Sequence, residues 1–536
     1  MGMFLNRGNQ EFDYVVNSEI YVDKTEMITF FNKKINTEQR YISVSRPRRF
    51  GKSITANMIA AYFEKGCDSR YLFENRKLGE TKNWDQNLNK YDVIRIDLAD
   101  IRSRYDSPEE TLDLIENQLI KDIMEVYPQC KLEENDKVAT VLDKVNEQTG
   151  NQFIVIIDEW DCLYRDDKNN TKVQERYINL LRGLFKGNSA KKFLALGYIT
   201  GILPIKKYNS ESALNNFYEY TMLQPGKLAQ YIGFTEDEVK NLCEEYDMDY
   251  GQAMEWYDGY SFRKVHHICG PNSVVKAMLE EEYANYWSQT VAYNSLLSYI
   301  SMNFDGLKED IKIMIGGQRV KVKVRTYQND MISFRNKHDV MTVLIHLGYL
   351  AYDSENEEAY IPNKEVRMCF EDTIEGTNWS ELIETMEHSE ELLRATMAGD
   401  AEEVARQIDY SHSVNTSILN YNNENALASC IMLAYYTARK EYRIIREYPT
   451  GYGFADLVFL PKEGVSYEDH PAMVIELKWK KDAKTAITQI KENQYCDSLK
   501  DYKGKLLLVG ISYEKSKDSG ETNKKHSCVI EEIGIN

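Results

Sequence analysis

Three short apolar runs, YDVIRIDLAD (Tyr91 to Asp100), FIVIIDEWD (Phe153 to Asp161) and FLALGYITG (Phe193 to Gly201), alternate with helix-forming sequence in the first part of the chain. Runs this short and this apolar read as strands, and strands alternating with helices give a mostly parallel sheet clothed in helices. A further β-favouring run, RYISV (Arg40 to Val44), leads straight into SRPRRFGKS (Ser45 to Ser53) and the helical pattern ITANMIAAYFEKG. The fold must therefore bury several adjacent strands beneath helices. With 536 residues, 43% of them hydrophobic and 12% aromatic, the chain can form three or four domains of about 100–200 residues and is not a disordered or fibrous protein.

Strand, loop, helix is the order a phosphate-binding loop requires. In such a loop, backbone N–H groups wrap the phosphates of ATP, Lys52 reaches the β/γ oxygens and the Ser53 hydroxyl ligates Mg²⁺. Gly51 lets the backbone come close, and Arg48 and Arg49 count with the nucleotide-binding residues. The pattern departs from GxxxxGK[ST] at its start, where Arg46 stands for the first Gly. The run FIVIIDEWD ends in Asp158-Glu159, the pair that in P-loop ATPases holds Mg²⁺ through water and polarises the attacking water. Such a strand is expected to lie beside the phosphate-loop strand. Thr200, ending FLALGYITG, falls where a polar sensor residue meets the γ-phosphate.

YVDKT (Tyr21 to Thr25), SRPRRFGKS, IVIIDEWD, TGILPI, GFTEDEV and WYDGY (Trp256 to Tyr260) occur in this order. Together they resemble the bacterial AAA-ATPase-like family whose members carry a C-terminal nuclease-like domain of the PD-(D/E)XK superfamily. The loop with Arg at the first-Gly position is that family's own form. The resemblance implies that Tyr21 to Thr25 lie near the nucleotide, whereas the residues themselves read only as a turn entering a helix.

In the middle of the chain, FTEDEVKNLCEEY and GQAMEWYDGYSF read as helices, the first with capping-box spacing from Thr235 to Glu238. They would form a small helical lid. DVMTVLIHLGYLAYDSENEEAYIPN (Asp339 to Asn363) reads as an apolar helix and a hairpin with an acidic turn, a spacer or protein contact rather than a DNA-binding wing.

Towards the end, NNENALASCIMLAYYTARK (Asn422 to Lys440) reads as a helix, EYPTGYGFADLVFLP as a turn and strand, AMVIELKWKK as a strand and DAKTAITQIKENQY as a helix. Glu476 and Lys478, two apart in a strand, share a face, and a hairpin brings Asp456 alongside them. Two acids holding Mg²⁺ or Mn²⁺, with a lysine that stabilises or deprotonates the attacking water, make a phosphodiester-cleaving set. This order matches the PD-(D/E)XK core, and the resemblance adds Glu424 as the first-helix acid and Gln489 on the last helix. Phe454 stands where related proteins often place a basic residue.

The formal net charge is −19, yet from Cys430 to Asn536 there are 17 Lys and Arg against 16 Asp and Glu, so the acid belongs to the body. Nine scattered cysteines without a CxxC pair read as reduced thiols. The His266-His267 pair reads as a solvated loop. The longest uncharged apolar stretch, FLALGYITGILPI, has 13 residues, short of the roughly 20 that span a bilayer. A cytoplasmic location without membrane contact is expected.

The expected architecture is α/β: an AAA-ATPase-like P-loop domain over 1–230, a helical lid over 231–290, a helical and winged region over 291–410 and a nuclease-like domain over 411–536. The expected function is ATP binding and hydrolysis controlling a metal-dependent nuclease, with DNA preferred over RNA as partner. A protein partner and a homo-oligomer are also compatible. The alternative is a nucleotide-switched interaction module whose nuclease-like domain does not cut.

Overall fold

The computed structural model describes residues 2–167, 170–205, 214–287, 292–300, 302, 304–327, 334–375, 380–414, 427–428, 431–432, 434–435, 437–438, 441–450, 453–462, 465–466, 470–492, 504–515 and 524–534. They fall into two compact units: Met1–Leu307 with Arg319–Glu371, and Lys308–Gln318 with Asp372–Asn536. No helix among the described residues is long and apolar enough to cross a membrane.

In the first unit, β1 (Tyr41–Ser45), β2 (Asp92–Asp97), β3 (Phe153–Asp158), β4 (Leu194–Gly201) and β5 (Tyr218–Tyr220) form one parallel sheet in the order β2-β3-β4-β1-β5. Every residue of β1, β3 and β4 is buried, as strands covered on both faces require. The helix α1 (Lys52–Phe63) packs against β2, β3 and β4. Phe153, Val155 and Ile157 join a core with α2 (Pro108–Val126), α3 (Val138–Thr149), α4 (Cys162–Asp166) and α5 (Thr171–Phe185). Ser107 caps α2 by accepting from the Glu110 amide, and Pro108 occupies its first turn, where no N–H is needed. The outer edge of β2 is finished by the first residues of the chain. Leu5 bridges Ile94 in antiparallel sense, the Arg95 amide donates to Phe4 and the Asn6 amide to Val93.

The strand order corrects one expectation. β3 does not adjoin the phosphate-loop strand, because β4 lies between them. Local sequence pattern carries no information on this insertion. The two chemical ends still meet, since α1 leaves β1 and runs across β4 and β3.

Farther along unit 1, α6 (Glu236–Glu245), α7 (Tyr250–Tyr257) and α8 (Pro271–Glu280) share a core. The capping box of Thr235 and Glu238 is present. The region is not helical throughout: β6 (Phe234–Thr235), β7 (Tyr260–Phe262) and β8 (Val265–Cys269) pair antiparallel in the order β6-β8-β7. Gly259, at φ +125°, ends α7 and turns the chain into β7, so YSF is a strand. His266 and His267 lie exposed on β8 instead of in a loop, with His267 Nδ1 2.6 Å from the Asp258 carboxylate. The anticipated helix and hairpin are α9 (Lys337–Leu347), β10 (Ala351–Asp353) and β11 (Glu358–Tyr360), joined by a third strand, β9 (Val320–Lys321).

The second unit contains α10 (Ser380–Met397), α11 (Ala401–Val414) and a mixed sheet of β12 (Tyr442–Thr450), β13 (Gly453–Pro461), β14 (Ala472–Trp479), β15 (Lys505–Lys515) and β16 (Lys524–Gly534). Only the β14–β15 pair is parallel. Ile475 and Leu477 pack with Leu392, Val404 and Ile408, whereas Val474 and Leu508 pack with Ile487 and Ile490 of α12 (Ala483–Glu492). The segment EYPT, read as a turn, belongs to β12. Tyr448 pairs with Ala455 and Thr450 with Gly453, and Pro449 is tolerated because β12 is an edge strand.

Candidate functional site

Ser45 ends β1, and residues 46–51 turn into α1. Gly51 is the N-cap at φ +82°, and a Cβ there would meet no atom within 4 Å. The requirement for glycine is thus the left-handed backbone, not crowding within the protein. Arg46, at the first-Gly position, turns inward and is fully buried. Its guanidinium donates to the carbonyls of Ser45 and Tyr220 at 2.8 and 3.0 Å and lies 5.6 Å from the Phe262 ring centre. Burial lowers its pKa to about 10. Arg49, at φ +66°, donates to the Tyr286 carbonyl at 2.8 Å. Arg48 is exposed.

Lys52 is 4% exposed, donates to the Pro47 carbonyl at 2.9 Å and lies 3.5 Å from Glu159 Oε1. Asp158 closes β3, fully buried, and accepts from the Glu159 amide at 3.0 Å. Desolvation pushes its carboxyl up to about 6; the Ser53 hydroxyl and Lys52 pull it down, and Asp97 and Glu159 push it up. Desolvation also pushes Glu159 up, but Lys52, Arg165 and Arg48 outweigh it and hold this carboxyl below its ordinary value. Thr200 is fully buried on β4 and opposite Val44 of β1, and its carbonyl accepts from the Trp160 amide. Lys52, Ser53, Asp158 and Glu159 thus gather at the carboxyl ends of the strands, where open α/β sheets bind ligands. Oxygen donors from Ser53 and Asp158 suit Mg²⁺.

Asp23 of the YVDKT segment accepts from the amides of Thr25 and Lys77. Lys24 donates to the Gln230 carbonyl and to Glu238. These residues line a cavity of about 420 Å³ with Gln230, Thr235 and His266, and no residue of the 46–53 loop lines it.

In the second unit the β13–β14 register, Leu457 to Ile475 and Val458 to Val474, sets Asp456 opposite Glu476. Asp456 Oδ2 accepts from the Leu477 amide at 2.7 Å. Glu476 Oε1 accepts from Lys478 Nζ at 2.9 Å and from the Gln489 side chain on α12. The other oxygen, Oε2, is buried without a hydrogen-bond partner among the described residues. Desolvation, and then the charge of Asp456, raises the Glu476 pKa to about 7. Two carboxylates pressed together, one with an unspent oxygen, fit a divalent cation. Glu424 lies outside the described residues, and among those described no group of three or more His, Cys, Asp or Glu is gathered as a metal cage. Phe454 is 65% exposed on β13. Lys480, Lys481 and Lys484 are exposed, while Lys491 pairs with Glu531 at 2.5 Å.

Sequence reasoning passed over Asp161 and Arg165. Arg165 Nη2 lies 2.6 Å from Glu159 Oε2 and its Nε 3.2 Å from Asp161 Oδ2. The available signal was the four-residue spacing from Asp161 to Arg165, which sets them on one face of a helix.

A covered parallel sheet with a phosphate-type loop after β1, flanked by β4 and β5, and a mixed sheet whose Asp456, Glu476 and Lys478 meet Gln489 of α12, define a P-loop ATPase-like unit and a nuclease-like unit. Residues 7–209 match the family model of a predicted AAA-ATPase, and residues 422–522 match that of the PD-(D/E)XK nuclease superfamily. The chain carries an AAA-ATPase-like domain followed by a PD-(D/E)XK nuclease superfamily domain. An uncharacterized protein in the vnfD 5′ region of Azotobacter chroococcum mcd 1 is 23% identical over 279 residues, 50% of this chain and 50% of its own length. The chain thus spans about half the length of that curated relative. Among solved structures, the Aeropyrum pernix ORC2 protein in its ADPNP-ADP complexes is similar at 7% identity and a TM-score of 0.26, over 67% of this chain and 98% of that one. AMPPCP-bound DnaA from Aquifex aeolicus is similar at 10% identity and a TM-score of 0.23, over 63% and 82%.

Proposed function

We propose that the first unit binds and hydrolyses ATP, and that its nucleotide state controls a metal-dependent nuclease in the second unit that acts on DNA. The observation that carries this reading is the convergence of Lys52, Ser53, Asp158 and Glu159 from two strands separated by β4. Lys52 and the loop amides would hold the phosphates, with Arg48 and Arg49 beside them. Ser53 and Asp158 would hold Mg²⁺, Glu159 would take the proton of the attacking water and Thr200 would sense the γ-phosphate. In the second unit Asp456 and Glu476, with Glu424 as a third acid, would hold Mg²⁺ or Mn²⁺. Lys478 would stabilise or deprotonate the attacking water, and Gln489 orients Glu476. When bound, the metal supplies charge neutralisation on phosphate oxygens and a more acidic water. Exposed Lys480, Lys481 and Lys484 suit a polyanion, which makes binding salt-dependent. A cytoplasmic setting, self-association and a protein partner are compatible with this reading.

The test is hydrolysis of ATP and cleavage of linear and circular DNA by the full chain, with Mg²⁺ or Mn²⁺ and with or without ATP. Lys52→Ala should abolish ATP turnover and leave the chain folded. Glu476→Ala should abolish metal-dependent cutting and leave ATP binding intact. Turnover that survives Lys52→Ala, or cutting that survives Glu476→Ala, would reject the corresponding site. ATP binding with no cutting under any condition favours the nucleotide-switched interaction module.

A further inference from the structure

Behind Glu159 runs a chain of contacts that the ATP reading leaves unused. The amides of Ile202 and Leu203, just past the end of β4, donate to Asp161 Oδ2 at 3.2 and 2.8 Å. Asp161 is 1% exposed and pairs with Arg165, 7% exposed. Arg165 in turn grips Glu159 Oε2 at 2.6 Å, while Glu159 Oε1 lies 3.5 Å from Lys52 Nζ. Gly201 leaves room for this seat, because a Cβ there would stand 2.4 Å from Asp161 Oδ1. Glu159 itself is held at φ +50°, a backbone conformation that side chains seldom adopt.

A buried guanidinium between two carboxylates is a poor way to gain stability. Its desolvation cost offsets much of the attraction, and a well-packed apolar side chain often serves the fold equally well. What the arrangement supplies is direction. One oxygen of Glu159 is fixed by Arg165, so the other faces the phosphate-loop lysine, and the fixing group is anchored to the strand that carries Thr200.

We propose that Asp161 and Arg165 are positioning residues that tie the end of β4 to the water-polarising carboxylate of Glu159. A displacement of the Thr200–Leu203 segment then reaches Glu159 through two ion pairs, without passing through the sheet. This inference rests on the ATP reading of the site.

The experiment measures steady-state ATP hydrolysis and binding of a fluorescent ATP analogue by the full chain. Arg165→Met is expected to lower kcat by about tenfold or more, with KM and analogue affinity within about twofold of the unaltered protein, the signature of a group that acts in the chemical step. Arg165→Lys should recover part of kcat. Gly201→Ala, which displaces Asp161 from the other end, should give the same split and decides the matter if Arg165→Met does not fold. Turnover that depends on Lys52 but is unchanged in Arg165→Met and Gly201→Ala overturns this inference alone. Loss of kcat and analogue affinity together, without recovery in Arg165→Lys, reduces Arg165 to a structural residue and also overturns it. No turnover by the unaltered chain overturns the ATP reading and this inference with it.

Discussion

Glu365 is buried in the first unit, where it is hydrogen-bonded by the Ser273 side chain and by the amides of Trp287 and Tyr286. Desolvation dominates these partners and the charge of Arg49, and raises its pKa from 4.5 to about 8. Between those two values the folded protein keeps a proton that the unfolded chain has released. Its contribution to stability is therefore fully present below the unfolded value and is lost as the pH rises through about 8. Glu64, raised to about 7 chiefly by burial, acts in the same sense. Glu365→Gln should flatten the decline in denaturation midpoint from acid to mildly alkaline pH; an unchanged slope would show that Glu365 does not carry it. The site residues differ in how far the sequence revealed them. Lys52, Ser53, Asp158 and Glu159 could be read because the chemistry demands those residue types at strand ends. Arg165 could be paired with Asp161 from their four-residue spacing but not with Glu159, because that contact is set by how the turn after β3 folds back. The sequence shows Arg46 only as a departure from the loop pattern; its partners, Tyr220 and Phe262, lie more than a hundred positions away and so are not legible locally.

At the scale of elements, local signals succeeded where the element is stabilised locally or buried on both faces. β1, β3 and β4 were legible because strands under helices must be apolar along their whole length. The start of α6 was legible because Thr235 and Glu238 satisfy the end amides from within the motif. Thr235→Ala should cost about 1 kcal/mol and speed hydrogen exchange first at the amino end of α6; uniform exchange across the helix would argue against the cap. Non-local pairing accounts for the failures. β9 has two residues and exists because β11 binds it, and EYPT becomes strand because β13 lies alongside. The place of β4 between β1 and β3 is a matter of sheet order, which hydrophobic pattern does not encode.

At the scale of the molecule, each unit brings its candidate residues to one place from distant parts of the sequence. Asp456, Glu476 and Gln489 come from two strands and a helix, and Lys52 and Asp158 from segments separated by more than a hundred residues. The acidic balance of the chain does not forbid a polyanionic partner, because the sequence after Cys430 is nearly neutral and exposes lysines beside its candidate site.

The edge of β2, finished by residues 4–6, bears on how this protein tolerates handling. Asp122 on α2 accepts from the amides of Phe4 and Leu5, and a Cβ on Gly2 would lie 2.5 Å from the same carboxylate. These few residues shield a row of backbone donors and acceptors that would otherwise be open to strands of neighbouring molecules. Deleting residues 2–6 is expected to make the protein associate more strongly with rising concentration than the unaltered chain, read by light scattering; an unchanged scattering profile would show that these residues do not guard the edge. A side chain at position 2 would crowd Asp122, loosen the seal and turn a sheet margin into a seed for aggregates.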